Sequence, residues 1–273
     1  MQLGNHIDIK KYQRFFAFGC SFTWGGWITW ADILGNQIPT YYNYGKPGGG
    51  NAYIFSQIVE AHIRYGFRES DLVMVMWSTN NREDRYFNNQ WHGKGNIFSQ
   101  DLLPKEFVEK FADSRGYLIR DFANFTATQA LLDSTNCDWD FSSIRNMYKD
   151  ACEEDHDIFE LYSDTYKKFK QDLSTTVFAD ITTYPTHKKG YDMNYVLSDA
   201  EFITVKGSDG NVFIDPHPTP LHYYTYLSKT YNIENERADI QYWVTQSYQD
   251  LIDNSPVDIK RFGFPKRLMI ERL

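Results

Sequence analysis

The stretch RFFAFGCSFTWG, Arg14–Gly25, decides the fold class of this chain. It opens with a short apolar run, Phe15–Gly19, that ends at a glycine, and this pattern is typical of a buried strand. Ser21 follows where the chain must turn. Ligand sites of open α/β sheets lie at the carboxyl ends of the strands, so the hydroxyl of Ser21 is a candidate functional group. The alternative is that Ser21 only caps the helix that follows.

The next residues alternate between helix and strand patterns. A short helix is expected to end at Gly35, and the run TYYNYG, Thr40–Gly45, predicts a second strand. Apolar residues then recur at helical spacing over Asn51–Gly66, with Asn51 as the expected N-cap. The apolar run DLVMVMW, Asp71–Trp77, predicts a third strand. This alternation predicts a parallel sheet with crossover helices.

The middle of the chain is less regular. Ser78–Asn96 is polar and has no sustained period, which predicts a long loop of the kind that often carries function. Two helices are expected at about Pro104–Ser114 and Tyr117–Ser134, and CDWDFSSI, Cys137–Ile144, is expected to form a fourth strand.

The last hundred residues are expected to hold a hairpin and two helices. The sequence GSDG separates two extended runs, which predicts a hairpin turn. Helical patterns follow at Leu221–Asn232 and at Asn235–Asp253.

The chain is expected to form a single domain over residues 1–273. It contains no internal repeat, no low-complexity block and no linker rich in Pro, Gly or Ser. We expect an insertion at roughly 78–135 and a helical C-terminal extension at 235–273.

Composition and charge exclude some classes of protein. The hydrophobic share of 42% is ordinary, whereas the aromatic share of 17% is high, and we expect most of these rings to lie in the core. The net charge of −8 argues against a nucleic-acid partner, which would need clustered Lys and Arg.

The one basic cluster, Lys260–Arg267, is expected to be a solvated tail or a docking segment. The three cysteines are scattered and form no C-x-x-C pair, so neither a disulfide framework nor a zinc site of that type is expected.

The sequence has no apolar signal core at its start and no run of 18 apolar residues. We therefore expect cytoplasmic synthesis without a signal peptide, and no membrane partner. Association with a virus particle stays open, as do a homo-oligomer and membership of a larger assembly.

Polar groups suited to acyl transfer follow the predicted strands. Ser21 comes after the first strand, the glycine turn NYGKPGGGN (Asn43–Asn51) after the second, and Asn80 after the third. The segment DPHPTP near the carboxyl end offers Asp215 and His217. A serine, a histidine and a carboxylate, with a backbone N–H and an amide beside them, match the parts of an acyl-transfer site.

This ordered set resembles the SGNH, or GDSL-like, hydrolase family: GCS looks like its nucleophile block, NYGKPGGGN its second block, STN its third and DPHPT its last. The resemblance implies a flavodoxin-like three-layer α/β/α fold with a central parallel sheet and helical or loop insertions. It also implies a serine esterase that needs no metal or cofactor. Ser21 would be the nucleophile, His217 the general base and Asp215 its partner, with an oxyanion hole formed by Ser21, Gly48 and Asn80.

Three positions depart from the commonest family pattern. The first is Cys20, which replaces the common Asp of the nucleophile block at a position with no obligatory chemical role. Ser78 stands where the third block usually has glycine, and its side chain could narrow the oxyanion pocket. Asp215 lies two residues before His217 where three is the commoner spacing, so a backbone carbonyl stays open as the group that orients the imidazole.

The substrate is expected to be a small-molecule or polysaccharide ester. The aromatic-rich segment RYFNNQWHGKGN, Arg85–Asn96, favours a carbohydrate, since flat rings stack on sugar faces, and acetyl esters are the first expectation. Short acyl esters and lipids are the near alternative. Trp24, Arg82 and His222 are possible substrate contacts, although Arg82 could instead pair with a neighbouring acidic residue at the surface.

A second hypothesis comes from a different class of protein. The chain could keep the fold without activity, as a carbohydrate-binding or structural protein such as a component of a phage particle. The joint presence of Ser21, Asn80 and His217 favours the enzyme.

Overall fold

A four-stranded parallel sheet forms the centre of the protein. The computed structural model describes residues 2–3, 6–99, 102–169, 203–207, 210–215, 217–233 and 238–257. Within them the strands are β1 (Arg14–Gly19), β2 (Thr40–Gly45), β3 (Asp71–Trp77), β4 (Arg82–Phe87), β5 (Gln90–Asn96), β6 (Asp138–Ser143), β7 (Ile203–Lys206) and β8 (Val212–Asp215). The helices are α1 (Trp30–Gly35), α2 (Asn51–Tyr65), α3 (Lys105–Phe111), α4 (Ser114–Asp133), α5 (Met147–Asp150), α6 (His156–Leu161), α7 (Ser163–Tyr166), α8 (Pro220–Tyr231) and α9 (Ala238–Asp253).

The central sheet has the strand order β2-β1-β3-β6, which is how the flavodoxin-like order begins. Successive side chains of β1 point to opposite faces, so Phe15 and Ala17 join one buried cluster and Phe16 and Phe18 join another. Helices α1, α8 and α9 contribute to the first cluster, and α2, α4 and α6 contribute to the second. The predicted three-layer α/β/α fold is therefore confirmed.

Stacked aromatic rings hold β1 against β2. The ring centroids are 5.4, 4.6 and 5.0 Å apart in the pairs Phe15–Tyr41, Phe16–Tyr42 and Phe18–Tyr44. Aromatic pairs of this kind each add about 0.5–1.5 kcal/mol beyond the burial of their area. They favour the observed register, in which Gly19 lies opposite Gly45. As a result, the segment that carries Ser21 and the glycine turn leave the same edge of the sheet.

The start of α2 corrects one prediction. Asn51 is the first helical residue and not the N-cap, a place that Gly50 takes. The carboxylate of Asp84 on β4 does the capping, since it accepts hydrogen bonds from the backbone N–H groups of Gly50 (2.8 Å) and Tyr53 (3.0 Å). The side chain of Asn51 is therefore free for other contacts.

The prediction of a long loop over Ser78–Asn96 was wrong. Strands β4 and β5 form an antiparallel hairpin there. Its two-residue turn, Asn88 and Asn89, has φ angles of 51° and 58°, and asparagine tolerates this left-handed conformation at hairpin turns. The strands were missed because β4 is rich in charged residues and β5 in Gly, Lys and Asn, whereas the Asn-Asn pair was the signal that could have located the turn.

The predictions for the carboxyl-terminal part hold where the structure describes it. Strands β7 and β8 form the hairpin expected around GSDG, and α8 and α9 lie where the two helices were expected. The basic cluster Lys260–Arg267 and the end of the expected extension, 258–273, lie outside the described residues. The division into one domain with an insertion stays a prediction. None of the described helices is both long enough and apolar enough to cross a membrane.

We expect Gly93→Ala to lower the free energy of unfolding by about 1–3 kcal/mol, the usual cost of overpacking a close contact. Gly93 on β5 lies against the glycine turn, and an added Cβ would overlap the carbonyl of Gly48 and lie 2.8 Å from the nitrogen of Gly49. Urea unfolding followed by tryptophan fluorescence measures the change.

The control for this substitution is Gly116→Ala in α4. A Cβ at Gly116 meets nothing closer than 3.6 Å, and alanine favours the helix, so stability should hold or rise. Equal stability of the two variants would contradict the tight contact between the hairpin and the glycine turn.

Candidate active site

Ser21, His217 and Asp215 lie in hydrogen-bonding contact at the carboxyl edge of the sheet. The Oγ atom of Ser21 is 2.7 Å from Nε2 of His217, and Nδ1 of His217 is 2.5 Å from Oδ1 of Asp215. The same Oδ1 accepts a hydrogen bond of 2.9 Å from the backbone N–H of His217. The two-residue spacing thus lets the Asp215 carboxylate reach the imidazole. This is a Ser-His-Asp cluster on a three-layer α/β/α protein.

A tight turn places Ser21 at the end of β1. The carbonyl of Cys20 accepts hydrogen bonds from the N–H groups of Thr23 (3.0 Å) and Trp24 (3.1 Å). The next helix, α1, starts only at Trp30, and its cap is Thr29, which forms a capping box. The alternative in which Ser21 serves as a helix cap is therefore excluded.

Aromatic side chains pack around the imidazole of His217. The ring of Phe22 lies with its centroid 4.8 Å from that of His217, and Trp27 approaches edge-on at 6.5 Å. The indole N–H of Trp27 donates to the carbonyl of Pro218 at 2.6 Å, which ties the histidine segment to the serine segment. These contacts help to hold the His217 imidazole in the orientation in which its Nε2 faces Ser21.

In the described part of the chain, the three expected oxyanion donors have no protein acceptor. No described residue accepts a hydrogen bond from the backbone N–H groups of Ser21 or Gly48, or from Nδ2 of Asn80. Gly48 has a φ of 72°, which favours glycine, and its carbonyl accepts from the N–H of Gly95 at 3.3 Å. Ser78 is fully buried, so its side chain does not line an open pocket.

Arg82 bridges two loops at this edge of the sheet. Its guanidinium donates to the carbonyl of Gly49 at 3.0 Å and to the hydroxyl of Thr79 at 3.3 Å. In the described part of the chain it forms no ion pair with Glu83 or Asp84, so the surface-pair alternative is wrong. A contact of Arg82 with substrate stays a prediction.

His222 caps helix α8. Its Nδ1 accepts a hydrogen bond from the N–H of Thr219 at 3.2 Å and lies 3.0 Å from the Thr219 hydroxyl. Burial lowers the pKa of His222 to about 4, since a buried imidazole resists the charged form. Its role as a substrate contact stays a prediction, as does that of Trp24, which packs against Gly45 at the end of β2.

Sequence reasoning missed a buried polar group beside this site. It consists of the buried Asn51 and Asp121 and the partly buried Asp84 and Arg120, which reach the glycine turn and the loop after β3. The sequence signal for this group is weak, since the pattern predicts Asn51 as a helix cap and the acidic residues as surface residues. Among the described residues, no group of three or more His, Cys, Asp or Glu side chains is placed to hold a metal ion.

No protein-family model and no curated protein matches the chain. Among solved structures it is similar to a lipolytic G-D-S-L family member from Veillonella parvula, with 14% identity over 82% of this chain and 99% of that one and a TM-score of 0.41. A GDSL-like lipase from Bacteroides thetaiotaomicron gives 14% identity over 90% and 93%, with a TM-score of 0.40.

A third similar structure is an acetyl xylan esterase variant from Geobacillus stearothermophilus, with 13% identity over 80% of this chain and 94% of that one and a TM-score of 0.37. Two of the three descriptions name the family that the sequence motifs resemble. All identities are below 25% and all TM-scores below 0.5, so the function proposed below rests on the side chains of the site.

We expect the free energy of unfolding to fall more steeply with falling pH in the wild type than in His222→Gln. The pKa of His222 is lowered from 6.5 to about 4 on folding, so between these values the unfolded chain binds a proton that the folded chain does not. Stability from this group is therefore present above pH 6.5 and is lost as the pH falls towards 4, at no more than about 1.4 kcal/mol per pH unit.

The measurement is urea unfolding of both proteins across this range. Glutamine suits the capping position, so the variant keeps the helix start while removing the titration. Parallel pH profiles for the two proteins would contradict the buried, neutral imidazole.

Proposed function

We propose that the protein hydrolyses acyl esters, with Ser21 as the nucleophile. The observation that carries the proposal is the continuous contact from Ser21 Oγ through the His217 imidazole to the Asp215 carboxylate, at 2.7 and 2.5 Å. Both distances fall within the reach that proton transfer and ring orientation need.

Asp215 sets the tautomer of the imidazole. Its carboxylate only accepts hydrogen bonds, so the nitrogen beside it, Nδ1, carries the proton and Nε2 presents its lone pair to Ser21. The backbone N–H of His217 holds the same carboxylate oxygen in place. Asp215 would also stabilise the imidazolium that forms during the reaction.

The reaction then proceeds in two halves. His217 takes the hydroxyl proton as Ser21 Oγ attacks the ester carbonyl carbon, and the carbonyl oxygen becomes an oxyanion. The N–H groups of Ser21 and Gly48 and the amide of Asn80 would stabilise this charge. The ester C–O bond breaks, the alcohol leaves with the proton from His217, and an acyl-serine remains. Water attacks that intermediate with His217 again as base, which releases the acid and restores Ser21.

For the substrate, we propose small acyl groups, with acetyl esters of a carbohydrate as the first choice. Tyr86 and Phe87 on the hairpin are 58% and 43% exposed, and rings of this kind can stack on sugar faces. The hairpin contacts the glycine turn through Gly93, so these rings belong to the element beside the proposed oxyanion hole. Short acyl esters and lipids are the alternatives.

We expect Ser21→Ala to lower kcat for p-nitrophenyl acetate by at least about 10³-fold, since removing the nucleophile leaves only binding and the oxyanion hole. Initial rates of p-nitrophenol release measure the change. Ser134→Ala is the matched control, because Ser134 is an exposed serine at the end of α4 and should keep full activity. Equal rates for wild type and Ser21→Ala would instead favour an inactive carbohydrate-binding or structural protein.

We expect Asp215→Asn to keep the fold and to lower kcat by about 10²-fold or more, because an amide can donate to Nδ1 and favour the wrong tautomer. The same assay measures the loss, and circular dichroism checks the fold. Asp164→Asn is the control, since the Asp164 side chain is fully exposed. Unchanged turnover in Asp215→Asn would remove Asp215 from the mechanism.

A further inference from the structure

Asn51 joins two of the three segments that carry the proposed oxyanion donors, the glycine turn with Gly48 and the loop with Asn80. Its fully buried side chain accepts a hydrogen bond from the backbone N–H of Ser78 at 2.8 Å and donates to the carbonyl of the same residue at 3.3 Å. Ser78 directly follows β3 and precedes Asn80 by two residues, while Asn51 follows Gly48 by three. One amide thus links the first turn of α2 to the segment that bears Asn80.

Asp121 on α4 determines which way this amide points. Its Oδ2 accepts a hydrogen bond of 2.8 Å from Nδ2 of Asn51. A carboxylate cannot donate, so the amide must turn its nitrogen to Asp121 and its oxygen to the N–H of Ser78. The opposite orientation would leave a buried N–H facing another donor, which is unfavourable because a buried polar group without a partner loses its hydration and gains no bond.

Arg120 keeps the buried carboxylate ionised near neutral pH. Burial raises the pKa of Asp121 to about 6, and the charge of Arg120 acts in the opposite direction. Arg120 donates to Oδ1 of Asp121 through Nε (2.9 Å) and a terminal nitrogen (2.7 Å), and also to the carbonyl of Arg82 at 3.2 Å. Arg82 in turn holds the carbonyl of Gly49, so the same two loops are joined a second time.

We propose that Asn51, oriented by Asp121, is a positioning residue that holds the amide of Asn80 at the oxyanion. The proposal rests on the hydrolase function proposed above. Neither side chain touches substrate, and both act through the backbone of Ser78. A donor displaced by about 1 Å can cost about 10²-fold in rate, so this contact matters to turnover even though it lies behind the site.

A double-mutant cycle between Asn51 and Asn80 tests the proposal, with kcat and KM for p-nitrophenyl acetate as the readout. Asn80→Ala is expected to lower kcat by about 10²–10³-fold, the usual effect of losing one oxyanion donor. Asn51→Ala is expected to lower kcat by about 10–10²-fold with KM nearly unchanged. The kcat of the double variant should match the kcat of Asn80→Ala within about threefold. Once the amide of Asn80 has been removed, the loss of Asn51 has no oxyanion donor left to displace.

Multiplied losses in the double variant would overturn the proposal, since Asn51 would then act independently of Asn80. If Asn51→Ala does not fold, Asp121→Asn replaces it in the same cycle, because that change keeps the volume while it replaces the carboxylate that orients the amide and pairs with Arg120. Its kcat loss should vanish in the Asn80→Ala background, and a loss that persists would equally overturn the proposal.

Two further proteins complete the design. Thr128→Ala removes another fully buried polar group from α4, one that bonds within the helix, so it should lose stability without a change in kcat. Ser21→Ala sets the baseline. A wild type no faster than Ser21→Ala defeats the hydrolase function and this inference with it, whereas Ser21-dependent turnover with multiplied losses defeats the inference alone.

Discussion

The hydrogen bond between Ser21 and His217 joins residues that are 196 positions apart, and the rest of the structure serves to close that distance. Ser21 is fixed at the end of β1, a strand buried on both faces. His217 is fixed between β8 and α8, and α8 packs its apolar side chains into the cluster that contains Phe15 and Ala17 of β1. The hydrophobic burial of α8 on this face of the sheet therefore determines that imidazole and hydroxyl meet.

Much of the fold could be predicted because the strands of the central sheet carry strong local signals. Strands β1 and β3 are apolar after their first residue, and β1 and β2 end at glycine, so pattern alone located them to within a residue. The candidate residues followed from the same logic, since parallel strands bring their carboxyl ends to one edge. The contact between Asp215 and His217 needed the structure, because a spacing of two residues does not settle where a carboxylate points.

The elements that sequence reasoning missed depend on tertiary contacts. The polar strands β4 and β5 contact the glycine turn, where Gly93 lies against Gly48, and this approach has no local signature. The helix cap of α2 comes from Asp84, which is 34 positions from Gly50. From the sequence alone, the nearest suitable residue, Asn51, is predicted as the cap instead. Whether a polar side chain at a helix start caps that helix cannot be predicted until the distant residue that competes for the capping role is known.

The polar network of Asn51, Asp121 and Arg120 lies at positions where apolar side chains could also pack, so its presence needs a reason other than stability. Replacing a buried ion pair with apolar residues of similar volume is often neutral or stabilising, so Asp121 and Arg120 are weak evidence for stability. What they provide is directional hydrogen bonding. The donors and acceptors of a carboxylate, an amide and a peptide group can all be paired in one arrangement only, whereas apolar contacts tolerate small shifts. Between the loop after β3, which bears Asn80, and the helix that follows Gly48, directional bonds fix a distance that packing alone would leave loose. The network therefore says more about the geometry at the carboxyl edge of the sheet than about the free energy of folding.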